Sequence, residues 1–596
     1  MPLSQTLPGT QITDLVTFTI KVNGNPVSTQ YQINSIVISK EINRIAAAKI
    51  IICDGDAAAQ DFSISNQETF IPGAAVEITC GYNLDETLLF KGIVLRHSLK
   101  IRNSNSPLLV LDCRDNAVKM TVARKNKYFY DQKDSEAIEA IVKSYPFETD
   151  IAETDVQHEA IVQYDCTDWD FIISRMEANG LICIADNGKI IAKKPDLSGE
   201  TVLDAVFGAT MLAFDAELDA KNQYQNLKAT TWDYSNQSVI TVDANEPGFE
   251  ENGNISSSDL GNVLDIAEYD LFAGEDVTEN ELQDLADARL VKARLSRCRG
   301  RVRFRGYGEV NPGDLINIGG VGDRFNGKVF VSGIRHEIAN GAWNTDVQFG
   351  LSSEQFTKEP DVNAAPAAGM LPSIQGLQTG IVTDLEDPDG QNRIRVRMPV
   401  IDNNEDGVWS RIATLDAGNN RGTFFRPEID DEVIVGFMNN DPRNPVVLGM
   451  LNSSAKPSPL TASNQNNEKG YVSRSGMKMI FNDDEKSLQI ETPAGKKITI
   501  NENQNIIKIE DENGNSLSMD PSSVNIESGA DISLKATGNL TIEAVNITLS
   551  PSSSFAMSAG GVSMNAGSGN ASISAPTVDI EGSGTTNIKG GIVMIN

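Results

Sequence analysis

The sequence predicts a mainly β protein: two β-barrels with an α/β insert between them, a small OB-like barrel, and a C-terminal rod of short stacked strands. Three observations carry this. From Met477 to Asn596 the chain repeats one pattern, apolar-x-apolar pairs such as Leu488/Ile490, Ile547/Leu549 and Ile592/Met594 between Gly- and Ser-rich turns, recurring about every eight residues. Residues 376–451 set turn residues at DPDG, DAGNN and NNDPRNP between short alternating runs, which reads as a compact barrel. Upstream, one stretch occurs twice. Pro72-Gly73 leads to Val76 and Ile78 and then to Gly92-Ile93 and His97, and Pro312-Gly313 leads to Ile316 and Ile318 and then to Gly333-Ile334 and His336.

In chain order, residues 1–130 alternate with Gly, Pro and Asn punctuation and form the first barrel. Residues 131–198 form the α/β insert: SEAIEAIVKSY has helical period, and a second helix ending at Gly180 precedes a hairpin at Asn187-Gly188. Residues 199–357 return to strands as the second barrel, interrupted by the helix ENELQDLADARLVKARL. A Pro/Ala-rich linker at 358–374 leads to the OB-like domain at 375–452, a polar connector at 453–475, and the rod at 476–596. Each rod strand is too short to bury its apolar face alone. Two arrangements satisfy the pattern: three intertwined chains, each supplying every third strand, or a single-chain solenoid. The spacing, which drifts between about seven and ten residues without a clear three-strand superperiod, favours the intertwined homotrimer.

Composition narrows the function. The 596 residues carry 82 Asp and Glu against 50 Lys and Arg, a formal charge of −32, which disfavours nucleic acid and anionic membranes as partners. The N-terminal MPLSQTLPGTQ has neither a basic nor an apolar signal segment, so synthesis and assembly are expected in the cytoplasm. Six cysteines, Cys53, Cys80, Cys113, Cys166, Cys183 and Cys298, stand singly without a CxxC, as buried thiols do.

No motif assembles an active site. The arginines of RLSRCRGRVRFRG, Arg299, Arg301, Arg303 and Arg305, alternate with Val302 and Phe304, and in an acidic chain they read as a subunit or tube interface facing carboxylates. Clusters at Asp384, Glu386, Asp387 and Asp389 and at Glu428, Asp430, Asp431 and Glu432 match no EF-hand spacing and read as solvated turns. His97, His158 and His336 stand alone. No catalytic residue, cofactor or metal site is expected.

The run GIVTDLEDPDGQNRIRVRMP, Trp409 to Ala413, Ala417-Gly418, PEIDDEVIVG and NDPRNPVVLGML resembles the OB domain of VgrG-type spike proteins of contractile injection systems, as found in type VI secretion and phage-tail-like particles. QYDCTDWDFIISRMEANGLI and NPGDLINIGG with FVSGIRHEI resemble the baseplate hub of that family, and the C-terminal strands its β-helix needle. The resemblance implies a structural central spike. It would be a homotrimer whose hub, among baseplate proteins, sits on a hexameric Hcp-like tube, and whose needle carries a PAAR-type tip protein. It would meet a target membrane only when the particle fires. With neither a lysozyme-like insert nor a C-terminal toxin domain in this sequence, toxicity is expected on another protein. The alternative is a phage-type spike enzyme that hydrolyses cell-wall glycan. Ile592, Val593, Met594 and Ile595 break the alternation with a continuous apolar run, the expected seat of the tip protein or a plug for the rod's end.

Overall fold

The computed structural model describes residues 15–102, 105–274, 277–359 and 361–595, so the leader reading lies outside the described residues. The chain divides into two compact units, Met1–Leu451 and Asn452–Asn596.

Unit 1 is built on a duplicated sheet. Its first half comprises β1 (Val16–Val22), β2 (Ile33–Glu41), β3 (Ala47–Cys53), β4 (Ala75–Tyr82), β5 (Asp85–Arg102) and β6 (Asn105–Arg114). The second half comprises β7 (Leu203–Val206), β8 (Met211–Leu218), β9 (Cys298–Arg305), β10 (Leu315–Gly319), β11 (Gly327–Ala339) and β12 (Ala342–Phe349). The pairing order β1-β4-β5-β6-β3-β2 recurs as β7-β10-β11-β12-β9-β8. The one departure is that β7 runs parallel to β10, whereas β1 is antiparallel to β4.

Bulges recur too. β2 slips between Ile33 and Ser35 and β8 between Met211 and Ala213; β5 slips between Val94 and Arg96 and β11 between Val331 and Gly333. Gly73 donates its N–H to the Val94 carbonyl at 2.8 Å, and Gly313 to that of Val331 at 2.8 Å. Both glycines hold positive φ, +98° and +87°, which explains why Pro-Gly opens each repeat. The bulges correct the motif alignment: Val94 corresponds to Val331, so His97 matches Ile334 and Leu99 matches His336.

Each half has its own core. Alternate residues of its strands, such as Ile36, Ile38, Ile50 and Ile78, fill the first, and Val302, Phe304, Ile316 and Val347 the second. The halves are joined because β11 also pairs with β2, with Ile334 opposite Lys40 and Ile338 opposite Ile36. Ile338 and Trp343 thereby enter the first core.

The insert packs helices Asp134–Val142 and Asp168–Ala178 against the ribbon of Arg124–Lys133 and Gln157–Thr167. The N-cap Thr167 side chain accepts from the Asp170 N–H at 3.0 Å. A further α/β body, not distinguished in the sequence, lies between β8 and β9. Strands Asn226–Asp233, Ser238–Asp243 and Glu268–Phe272 pack on helix Glu279–Ser296 around Leu227, Ala229, Leu282, Ala286 and Leu290. The linker is partly docked, with Val362 and Ala367 buried and Phe356 just before it set in the insert core.

Gln378–Asp384, Ile394–Arg397, Val408–Ile412, Pro445–Met450 and Glu432–Phe437 close a five-stranded barrel over Val382, Ile394, Val396, Val433, Val435 and Val447. Its DPDG turn is organised by Asp387, which accepts from the backbone N–H groups of Asp389, Gln391 and Arg393. The Arg393 guanidinium beside it holds the Asp387 carboxyl well below the usual carboxylate range.

In unit 2, Glu468–Val472, Lys478–Asn482, Ser487–Glu491, Lys497–Asn501, Ile506–Glu510, Ser516–Met519 and Val524–Glu527 form a seven-stranded meander in which every pair is antiparallel and consecutive. Over this stretch stack neighbours are therefore strands of one chain, and the reading in which each chain supplies only every third strand does not hold. Tight turns close each strand onto the next. One apolar column runs Phe481, Leu488, Ile500, Ile507, Met519, Val524 and a second runs Ile490, Ile498, Ile509, Leu517, Ile526. A hairpin repeat underlies it: Gly476, Gly495 and Gly514, all at positive φ, stand at equal intervals, as do Asn482, Asn501 and Asp520.

Candidate functional site

After Glu527 the backbone changes character. Among the described residues from 528 to 595 there is no strand, and one backbone–backbone hydrogen bond, from Gly569 N–H to the Ala566 carbonyl. The side-chain alternation nevertheless continues through Ile532/Leu534, Leu540/Ile542 and Ile547/Leu549, all exposed. Apolar side chains and unpaired peptide groups together require a partner surface. At the end of the chain Ile592, Met594 and Ile595 are 84%, 86% and 88% exposed and Val593 is 49% exposed.

The arginine row lies on the face of β9 opposite its buried Val302 and Phe304. Its carboxylate partners are intramolecular and sit on the flanking strands. Arg299 meets Glu217 at 2.9 Å and Asp219 at 3.6 Å, Arg301 meets Asp215 at 3.1 Å, and Arg303 grips the buried Asp346 through two 2.8 Å bonds. Arg335 approaches the same carboxylate at 3.6 Å. Arg305 has no ion pair among the described residues. The sequence exposed the alternation but not these partners, which come from strands far away in the chain.

The remaining polar clusters are internal braces. His97 bonds Ser65 Oγ at 2.6 Å and the Phe70 carbonyl at 3.0 Å. His158 lies 3.1 Å from Asp134, which also accepts from Arg175 at 2.5 and 2.9 Å and from Asn179 at 2.8 Å. Burial raises the Asp134 carboxyl, but these donors outweigh it and hold it below its usual value. His336 is enclosed against Thr345 and Trp343, and burial together with Lys40 pushes its imidazole down to about 3. Among the described residues no three His, Cys, Asp or Glu groups converge as a metal site. The six cysteines are free, and burial drives the Cys183 thiol up to about 12.

Comparison with known proteins places this architecture. Residues 378–451 match the family described as the type VI secretion system/phage-baseplate injector OB domain, and residues 12–340 match the Alg8 N-terminal domain. Two Pseudomonas aeruginosa relatives are the type VI secretion system spike proteins VgrG1b and VgrG1a. VgrG1b is 28% identical over 257 residues, 40% of this chain and 34% of its own, and VgrG1a is 27% identical over 228 residues, 35% of each. The matched region thus spans about a third of the curated relatives' length. Among solved structures, a Neisseria meningitidis tail protein aligns at TM-score 0.43 and 14% identity, covering 58% of this chain and 99% of that one. The Francisella PdpA–VgrG complex aligns at 0.37 and 9%, covering 87% and 80%. Over the matched stretches the chain is thus similar to type VI secretion system spike proteins, and its five-stranded barrel to the phage-baseplate injector OB domain. The chain belongs to the Alg8 N-terminal domain family, whose match covers more than half of it.

Proposed function

We propose that the chain is the structural central spike of a contractile injection system. It acts as a homotrimer that adapts a hexameric Hcp-like tube to a membrane-puncturing needle and carries a PAAR-type tip protein, without catalysis of its own. The carrying observation is the tail 528–595, where exposed apolar residues alternate along a backbone almost free of internal hydrogen bonds. Three such tails wound together bury those columns and pair those peptide groups, a closed arrangement open to identical chains. At a strand spacing of ~4.8 Å the alternating pairs of the tail give a shared stack of roughly 40 Å, long and thin as a puncturing rod must be.

Assembly takes place inside the producing cell among baseplate proteins, and the spike leaves when the sheath contracts. The apolar ends Ile592 to Ile595 of three chains form the platform for the tip protein. Truncation after Gly591 tests this: the shortened protein is expected to remain trimeric in light scattering and to lose capture of the tip protein encoded nearby. Undiminished capture would place the tip site elsewhere.

A further inference from the structure

The duplication leaves two strand edges unmatched. β11 is paired on both sides, by β12 and by β2 of the first half. Its counterpart β5 is paired beyond Val94 by β6 alone. Likewise β2 is paired by β3 and β11, whereas its counterpart β8 is paired by β9 alone. The chain therefore contains one complete junction between halves and, at separate places, the two edges from which an equivalent junction is made.

Burial tells the same story. Ile338 and His336, inside the complete junction, are 4% and 1% exposed. Their counterparts on β5, Ile101 and Leu99, are 72% and 44% exposed. The same positions are covered where the partner strand is present and bare where it is not, which is the signature of an unfilled sheet edge.

We infer that β5 of one copy pairs antiparallel with β8 of a neighbouring copy, in the register that β11 makes with β2. The paired bulges fix that register. Ile338 opposite Ile36 becomes Ile101 opposite the neighbour's Phe214, and His336 opposite Ile38 becomes Leu99 opposite Ala216. On the other face Gly333 opposite Glu41 becomes Arg96 opposite Asp219, and Glu337 opposite Val37 becomes Lys100 opposite Asp215.

Charge supports this independently, having played no part in setting the register. Beyond Val94, β5 carries Arg96, Lys100 and Arg102 and no acid. From Met211 to Asp219, β8 and the residue after it carry Asp215, Glu217 and Asp219 and no base. Opposite charges directly across a strand pair stabilise it, and like charges oppose it. The junction also gives the arginine row its place: Arg299 and Arg301 hold the acidic row from one side while the neighbour's β5 meets it from the other.

A chain with one edge of each kind joins head to tail, and such contacts close into a ring when the rotation permits. Closure at three copies rests on the trimeric reading proposed above and sets six similar half-sheets around one axis. The test is the full-length double variant Lys100→Cys with Asp215→Cys, oxidised and run without reductant, beside the parent chain and the single variant Lys100→Cys. Both positions are exposed, and circular dichroism checks that the fold is kept. Covalent dimers and trimers unique to the double variant are the expected result. Separately, Lys100→Asp should weaken hub association, and adding Asp215→Lys should restore it. A trimeric mass with no crosslink would overturn the junction while leaving the trimer in place. Crosslinks of equal yield in the single variant would also overturn it, and a monomeric mass would overturn both readings.

Discussion

Ile338→Ala separates the contribution of the occupied junction from that of the rest of the fold. Ile338 comes from the second half of the duplicated sheet, but it is 4% exposed inside the first half's core. Its truncation removes buried methyl groups and leaves a cavity lined by a sheet that is paired on both sides and has little freedom to collapse. That combination costs about 2–5 kcal/mol. Ile101→Ala removes the same atoms at the equivalent position, exposed in the single chain, where a surface change stays within about 0.5 kcal/mol. Trp343 reports on the event directly, because this second-half residue packs against Tyr82 of the first half with ring centroids 5.4 Å apart. Urea unfolding followed by tryptophan fluorescence should show an early loss of signal for Ile338→Ala. Ile101→Ala should match the parent under conditions that keep chains apart. Equal midpoints for Ile338→Ala and the parent would refute the argument that edge-to-edge packing of the halves stabilises the duplicated sheet.

Other expectations follow from single residues. The unfolded chain takes up a proton on His336 below about 6.5, while the folded chain does not until about 3. Unfolding therefore consumes a proton in that window, and stability should fall with decreasing pH by up to about 1.4 kcal/mol per unit; His336→Gln should flatten the profile in acid titrations of the melting temperature. Gly407 holds φ at +86° with a built Cβ only 2.0 Å from the Val396 carbonyl oxygen, so Gly407→Ala should unfold the OB barrel selectively, seen by limited proteolysis. Thr278 caps helix Glu279–Ser296 through the Glu281 N–H at 3.3 Å, and Thr278→Ala should cost about 1 kcal/mol in chemical denaturation. Peptidoglycan and common glycan and ester substrates should remain intact with purified protein; turnover abolished by one carboxylate substitution would reinstate the enzyme reading.

Much of the architecture is readable from side-chain alternation and turn chemistry. Pro72-Gly73 and Pro312-Gly313 disclose the duplication because a glycine at positive φ is needed at the same bonded position in both halves. The motif alignment beyond them slips because the hairpin from Ala75 to Ile93 is three residues longer than its counterpart from Leu315 to Phe330, which changes the residue count without changing the pairing. The α/β body around helix Glu279–Ser296 escapes because its short strands alternate just as the flanking sheet does, and only their partners distinguish them. In unit 2, comparing strands alone conceals the hairpin repeat: two different turns alternate, and Gly476, Gly495 and Gly514 mark just one of them. The arginine row illustrates the limit for sites. Alternation places Arg299 to Arg305 on one face, but Asp215, Glu217 and Asp346 arrive there through long-range pairing.

The measurement closest to the central claim is backbone amide hydrogen exchange across residues 528–595 in the assembled protein and after dissociation. If identical chains supply the missing strand partners, these amides exchange slowly in the assembly and rapidly once the chains separate. Rapid exchange along this tail in a protein that is trimeric by mass would contradict the account.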